Sequence, residues 1–162
     1  MSELAETLAG IKASTRVALP ADDSYLYRLG VATYGFAYVT NFVLEITGYL
    51  EPGADHTALR QSTAGAVLDR FRQTAKAWSG ASIQPHAARA ADAFERLNTE
   101  RSDFVHAYPI TNGAGEQILH RSVDSKGKYF EVTDAFLEDF IARLELVVDE
   151  LYAISANLRP DT

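Results

Sequence analysis

The apolar segment from Leu29 to Leu50 constrains the fold more than any other part of the sequence, because Glu45 is its one charged residue. Apolar side chains recur in it at heptad spacing, and a second, mostly aromatic set follows another face. The first stripe consists of Leu29, Ala32, Phe36, Val39, Val43, Ile46 and Leu50, and the second of Val31, Tyr34, Tyr38, Phe42 and Tyr49. Two stripes predict a helix with two buried faces, either in the middle of a bundle or between its own core and a partner subunit.

The same segment is long enough to span a bilayer. Threonines, tyrosines and Asn41 interrupt it, however, and basic residues do not flank it on one side. We therefore expect a buried helix of a soluble protein, with no membrane partner. Asn41 and Glu45 lie one turn apart, which predicts a hydrogen-bonded pair within the core rather than a catalytic pair.

The rest of the chain divides into helices and one strand-like region. Apolar spacing, with Ser, Thr or Pro near the starting positions, predicts helices over residues 2–13, 57–78, 85–107 and 133–158, in addition to residues 23–50. Residues 110–132 differ, because QILHRSV and KYFEV are strand-like runs around the turn sequence DSKG. The sequence thus predicts an all-α protein, an antiparallel bundle of about four main helices with a small β-hairpin inserted before the last helix. We expect residues 1–162 to form a single domain.

Composition excludes several classes of site. The chain has no cysteine, which excludes disulfides, thiolate zinc sites and cysteine nucleophiles. A net charge of −7 argues against broad, non-specific binding of nucleic acid but is compatible with a small phosphate site. The histidines lack metal-ligand spacing, and neither a nucleophile elbow nor a glycine-rich phosphate loop is present. We therefore expect no metal and no cofactor. The N-terminal residues lack the apolar run of a signal peptide, so a cytoplasmic location is expected.

The stretch ERSDFVHAYP, residues 100–109, contains the candidate site. Arg101 falls on a largely apolar face of its helix, His106 follows five residues later, and Pro109 ends the helix. A charged residue on an apolar face either snorkels to solvent or is paired. Five residues turn an ideal helix by about 140°, so the two side chains diverge. They converge on one phosphate if the helix end unwinds or if a second copy packs across a two-fold axis.

Arg101 and His106 suit RNA cleavage without a metal. RNA carries its own nucleophile, the 2′-hydroxyl, so the reaction needs a base, an acid and a cation that stabilises charge on the phosphoryl oxygens. Histidine titrates near neutrality, and the guanidinium group matches phosphate. Asp103, one turn before His106, could orient the imidazole. The spacing alone is weak evidence, because an arginine five residues before a histidine is common by chance.

On a helix of an all-α bundle, ERSDFVHAY resembles the Arg-x4–6-His motif of the HEPN superfamily. The resemblance implies a dimeric, metal-independent endoribonuclease in which Arg101 and His106 are the catalytic pair and the motifs of both subunits line one cleft. It also implies 2′,3′-cyclic phosphate products. Asn98, Ser102 and Asp103 would support the site, and Ser102 stands where family members often have Asn, Asp or His.

Tyr108 extends the resemblance to HepT-type toxins, which carry an Arg-x4-His-x-Tyr pattern. In those toxins a nucleotidyltransferase antitoxin modifies the matching tyrosine with AMP. The resemblance therefore implies a toxin or defence component with an antitoxin partner.

The predicted hairpin is the most cationic part of the chain, with His120, Arg121, Lys126 and Lys128. If it folds over the motif, these residues could contact the RNA backbone. Alternatively, they keep a solvated strand edge charged and so prevent edge pairing. Trp78, Phe71 and the tyrosines are expected in the core rather than on a base-stacking platform.

A non-catalytic function is the alternative interpretation. A helical dimerisation or interaction module of the same fold would explain the acidic charge and Ser102. In such a protein, Arg101 and His106 would form a polar network at a dimer interface.

Overall fold

The fold is described by a computed structural model over residues 3–15, 21–122 and 130–158. Its helices are α1 (Glu3–Ser14), α2 (Asp23–Leu50), α3 (His56–Arg60), α4 (Ala64–Ala77), α5 (Gln84–Val105) and α6 (Asp134–Leu158). Its strands are β1 (Tyr108–Thr111), β2 (Gln117–Arg121) and β3 (Phe130–Val132), and Ala81–Ile83 form a 3-10 turn. The predicted class, a helical bundle with a hairpin before its last helix, is confirmed.

Four helices enclose the core, and each packs against two neighbours: α2 and α5 both contact α4 and α6. α5 runs antiparallel to α6, since His86 pairs with Glu150 while Glu100 pairs with Arg143. α2 and α6 run in the same direction, because their contacts advance together, from Arg28–Glu138 to Phe42–Tyr152. The antiparallel arrangement predicted for the bundle therefore does not hold for this pair. At the centre, the ring of Phe36 stacks on that of Phe94 with centroids 5.3 Å apart.

The two stripes of α2 differ in burial. The first is buried apart from Leu29, which is half-buried, whereas Tyr34, Tyr38 and Tyr49 of the second are exposed. The first alternative, a helix in the middle of the bundle, is therefore wrong, because α4 and α6 cover only one side of α2. The second alternative, a face covered by a partner subunit, stays a prediction. By length and composition, α2 is long and apolar enough to cross a membrane. In its most apolar segment of 18 residues, 33% of the segment is buried inside the bundle.

The Asn41–Glu45 pair forms, but on the surface. The Asn41 side-chain amide donates to Glu45 Oε1 at 2.8 Å, and both residues are exposed. The prediction that this pair lies in the core is wrong, because both residues lie on the side of α2 that the bundle leaves uncovered.

The predicted helix over residues 57–78 is two helices. Asp55 caps α3 by accepting from the Ala58 N–H, and Thr63 caps α4 by accepting from the Ala66 N–H at 3.3 Å. The helix is interrupted between them because Thr63 takes the extended backbone conformation of an N-cap. Trp78 follows α4 and is 36% exposed, so its prediction as a core residue is wrong, whereas Phe71 is fully buried.

The hairpin belongs to a three-stranded antiparallel sheet in the order β1-β2-β3. Strand β1 was not predicted, because proline is unfavourable within a strand. Pro109 is tolerated here because β1 lies at the edge of the sheet. Across the sheet, Tyr108 pairs with His120 and Leu119 with Val132. The predicted turn DSKG lies outside the described residues. Thr133 caps α6 as predicted, accepting from the Phe136 N–H at 3.1 Å.

A buried tyrosine joins this sheet to α2. The Tyr25 hydroxyl donates to the Val132 carbonyl and accepts from the Leu119 N–H, both at 2.9 Å. Burial raises the pKa of this phenol above its ordinary value. The sheet is thereby held at the end of the bundle where α5 stops.

Candidate functional site

The candidate site lies at the C-terminal end of α5, where a buried side chain packs the helix end onto the core. Phe104 is buried, and its ring meets that of Phe140 edge-on at 5.3 Å. The helix ends at Val105 with His106 as its cap, whose N–H reaches the Ser102 carbonyl at 3.3 Å. Pro109 prevents helical geometry at Tyr108, which instead begins β1.

Arg101 lies on the aromatic core rather than in an ion pair. Its guanidinium carbon stands 5.5 Å from the centroid of the Phe36 ring, within the range of a cation–π contact. Arg101 makes no ion pair within residues 3–15, 21–122 and 130–158, and it is exposed. Of the two expectations for a charge on an apolar face, the structure shows snorkelling. The guanidinium fork therefore faces solvent with its donors accessible.

His106 is also exposed. Within the described part of the chain, its imidazole has no hydrogen-bond partner. It lies five positions after Arg101, which on a regular helix corresponds to a rise of about 7.5 Å and a turn of about 140°. α5 remains helical to Val105 and His106 is its C-cap, so the helix end does not unwind before His106, which was one of the two conditions for convergence.

Asp103 is engaged elsewhere than at His106. It is 4% exposed, and its Oδ1 accepts from Arg121 Nη1 of β2 at 2.7 Å. This ion pair joins the end of α5 to the sheet. The sequence suggested other roles for both residues, the orientation of His106 for Asp103 and a contact with RNA for Arg121. A carboxylate buried to this degree needs such a partner, because an unpaired charge there would be costly.

Tyr108 and His120 form a second cluster beside the motif. The Tyr108 hydroxyl lies 2.8 Å from Ser122 Oγ, and its ring meets the His120 ring edge-on at 5.4 Å. Tyr108 is 51% exposed, whereas His120 is partly buried. The pairing of β1 with β2 creates this cluster, and Ser122 was not predicted to belong to it.

The other predicted residues lie nearby or outside the description. Asn98 is partly buried and faces the start of α4, where its Nδ2 stands 3.9 Å from the position of a Cβ on Gly65. Ser102 is partly buried on the last turn of α5. Lys126 and Lys128 lie outside the described residues.

Two structurally important residues were missed by the sequence reasoning. Phe36 was assigned to the core but not as the platform for Arg101. Tyr25 was assigned no role, although it continues the first heptad stripe, seven residues before Ala32, and this signal could have placed it inside.

No protein-family model, curated protein or solved structure matches the chain. Among the residues that the structure describes, no group of three or more His, Asp or Glu side chains is placed to hold a metal ion.

Proposed function

We propose that this protein is a metal-independent endoribonuclease of HEPN type that acts in the cytoplasm as a homodimer, with Arg101 and His106 of both protomers forming one composite site. The observation that carries the proposal is the contrast within the last turns of α5. Asp103 and Phe104 are buried and anchor the helix end, while Arg101 and His106 project into solvent. The anchored end thus presents the two groups that the chemistry requires.

The proposed reaction uses the RNA itself as the nucleophile. One His106 removes the 2′-hydroxyl proton, and the 2′ oxygen attacks the adjacent phosphorus. The bond from phosphorus to the 5′ oxygen breaks, and the second His106 donates a proton to that oxygen. The products are a 2′,3′-cyclic phosphate and a free 5′-hydroxyl. Arg101 stabilises the negative charge on the phosphoryl oxygens through its planar donors.

Helix geometry supports a site shared between two protomers. Arg101 and His106 of one chain diverge by about 140°, so a single α5 does not direct both at one phosphate. Val105 and Tyr108 are large side chains exposed beside the motif, 48% and 51% respectively, and they provide apolar surface for a second copy.

The half-exposed Tyr108 fits the regulatory part of the proposal. As the third residue of the Arg-x4-His-x-Tyr pattern, it is the group that a nucleotidyltransferase antitoxin would modify with AMP. The bulk and charge of the added AMP next to His106 would block the entry of RNA. The biological role would then be that of a toxin or defence component.

The test is cleavage of a mixed, labelled RNA in the presence of EDTA. Wild type is expected to cleave it, and Arg101→Ala or His106→Ala is expected to lose activity by a factor of about 10² to 10⁴. Arg96→Ala and His56→Ala are matched controls that should retain activity, since neither residue lies in the motif. All proteins are compared for folding by circular dichroism and for mass by sedimentation.

Mixing active and inactive chains tests whether the site is shared. The proposed reaction uses His106 of both protomers, so a dimer of one wild-type chain and one His106→Ala chain lacks either the base or the acid. After subunit exchange, an equal mixture is therefore expected to show about a quarter of the activity of wild type at the same total concentration, since a quarter of the dimers carry both histidines. Activity of about a half would contradict the composite site, because each wild-type chain would then act alone.

A non-catalytic interaction module of the same fold is the second candidate, favoured by the exposed aromatic stripe on α2. It predicts no cleavage by any folded variant and a change in dimer mass or stability on His106→Ala. That result would replace the ribonuclease proposal.

A further inference from the structure

A groove between α2 and α6 lies on the side of α2 away from Phe36. It has a volume of about 430 Å³ and is lined by Val31 and Tyr38 of α2 and by Ile141, Val148, Glu145 and Asp149 of α6. We call this feature the α2–α6 groove. An adjoining hollow lined by Tyr34 and Gly30 extends it toward the start of α2.

The aromatic side chains of the groove are unusually exposed. Tyr34 is 77% exposed and Tyr38 47%, although both belong to a helical stripe with Val31 and Phe42. Single exposed apolar residues are ordinary, but a continuous stripe on one helix face marks a surface for a partner. The Phe42 and Tyr152 rings, 4.9 Å apart and edge-on, lie just beyond Tyr38 along the same two helices.

Two glycines line the groove and its adjoining hollow. A Cβ on Gly35 would lie 3.0 Å from Leu144 Cδ1, so this glycine serves the close packing of α2 on α6. A Cβ on Gly30 would have nothing within 4 Å. A glycine within a helix costs about 0.5–1 kcal/mol relative to alanine, and at Gly30 no contact inside the chain offsets this cost. A close approach by another molecule would account for it.

Among the described residues, the two carboxylates of the groove have no counter-charge. Glu145 and Asp149 are four residues apart on α6, both are exposed, and like charges at this spacing destabilise a helix. The two basic residues of α2 and α6 are engaged elsewhere, Arg28 with Glu138 and Arg143 with Glu100. Within the ranges that the structure describes, Glu145 and Asp149 take part in no ion pair, in contrast to Glu150 on the same helix.

We propose that the α2–α6 groove binds a basic amphipathic helix of a partner protein. Apolar side chains of that helix would pack on Val31 and Val148, and its Lys or Arg residues would pair with Glu145 and Asp149. Their aliphatic stems would pack on the tyrosine rings. Charge complementarity selects this occupant over a second copy, which would bring the same carboxylates and a net charge of −7 to the interface.

The size of the groove suits a short helix. Val31 and Tyr38 are seven residues apart on α2, which corresponds to about 10 Å, or two helical turns. A helix laid along this distance presents side chains at i, i+3, i+4 and i+7, the usual anchors of a helix bound in a groove. The proposal does not rest on the ribonuclease proposal, because neither Arg101 nor His106 contributes to the groove.

The test uses a synthetic helical peptide of about 18 residues, with leucines at i, i+3, i+4 and i+7 and lysines flanking them. Binding to the full chain is measured by fluorescence anisotropy, beside a peptide in which every lysine is glutamate. The lysine peptide is expected to bind and the glutamate peptide is not. Neutralisation by Glu145→Gln with Asp149→Asn is expected to weaken binding about 2- to 30-fold, as for two surface ion pairs.

Two further variants make the result decisive. Glu6→Gln with Asp69→Asn removes the same charge from exposed positions on α1 and α4 and should leave binding unchanged. Glu145→Lys with Asp149→Lys should exclude the lysine peptide and admit the glutamate peptide. Thermal unfolding checks that each variant is folded.

Three results would overturn the proposal. One is the absence of lysine-peptide binding to folded wild type. Another is equal weakening by the Glu6 and Asp69 control pair, which would show a general effect of net charge. The third is a wild-type dimer that Val31→Glu dissociates while Arg101→Ala does not, because the groove would then be covered by a second copy.

Discussion

The substitution Tyr25→Phe tests how the sheet is held beside the candidate site. Tyr25 is 4% exposed, and its hydroxyl is bonded to the Val132 carbonyl and the Leu119 N–H. Phenylalanine keeps the ring and removes both hydrogen bonds, leaving two backbone groups without this partner. Each bond contributes about 0.5–1.5 kcal/mol, so the free energy of unfolding is expected to fall by about 1–3 kcal/mol. For a chain of this length, a loss of about 2 kcal/mol lowers Tm by about 4–8 °C.

The measurement combines urea unfolding, followed by circular dichroism, with hydrogen exchange of the Leu119 amide. The midpoint should fall without a change in m, because the surface exposed on unfolding is nearly the same. Protection of the Leu119 amide should decrease more than that of amides in α5. Tyr27→Phe is the matched control, since Tyr27 is on the same helix but 74% exposed, and it should change stability by less than about 0.5 kcal/mol.

An unchanged Leu119 amide, or equal effects of Tyr25→Phe and Tyr27→Phe, would refute the reasoning. Either result would mean that the hydroxyl does not join α2 to the sheet. Tyr108 and the strand that carries it would then need another anchor.

Three further predictions concern the ion pairs and glycines. Asp103→Ala should destabilise the protein by about 2–4 kcal/mol, and a double-mutant cycle with Arg121→Ala should give a coupling above about 1 kcal/mol, because each single change removes one side of a 2.7 Å ion pair whose carboxylate is buried. The hydrogen bond from Arg89 lowers the pKa of Glu150 below its ordinary value of 4.5. The ionised carboxylate therefore stabilises the fold fully above pH 4.5, and this stabilisation is lost as the pH falls through the lowered pKa. Glu150→Gln should reduce the acid dependence of stability in a pH titration of urea midpoints. Gly30→Ala should stabilise the protein by about 0.5–1 kcal/mol in the same assay, because its Cβ meets nothing within 4 Å, whereas Gly35→Ala should not stabilise it, because its Cβ would press on the buried Leu144 side chain at 3.0 Å.

Local patterns predicted the elements in which one residue has a dominant effect. Pro109 ended the predicted helix close to the observed end of α5, and Thr133 was correctly identified as the cap of α6. The heptad spacing of α2 identified its buried face. Such features act through the backbone within a few residues, so they are visible in a linear sequence.

Contacts between distant segments escaped the same reasoning. Asp103 lies one turn from His106 in sequence, but folding places Arg121 against it. Strand β1 exists because β2 supplies its hydrogen bonds, although Pro109 disfavours a strand locally. For the candidate site, the sequence selected Arg101 and His106, but it could not show that Arg101 rests on Phe36.

By itself, the sequence determined that this protein is a helical bundle with a strand insertion, because apolar periodicity and capping residues act locally. It also determined which residue types stand near the end of α5. Only the tertiary structure decided which apolar stripe of α2 is covered, which carboxylate is paired and which cations face solvent. The physical reason is that burial and ion pairing depend on neighbours brought together from far along the chain, such as Asp103 with Arg121 and Tyr25 with the sheet.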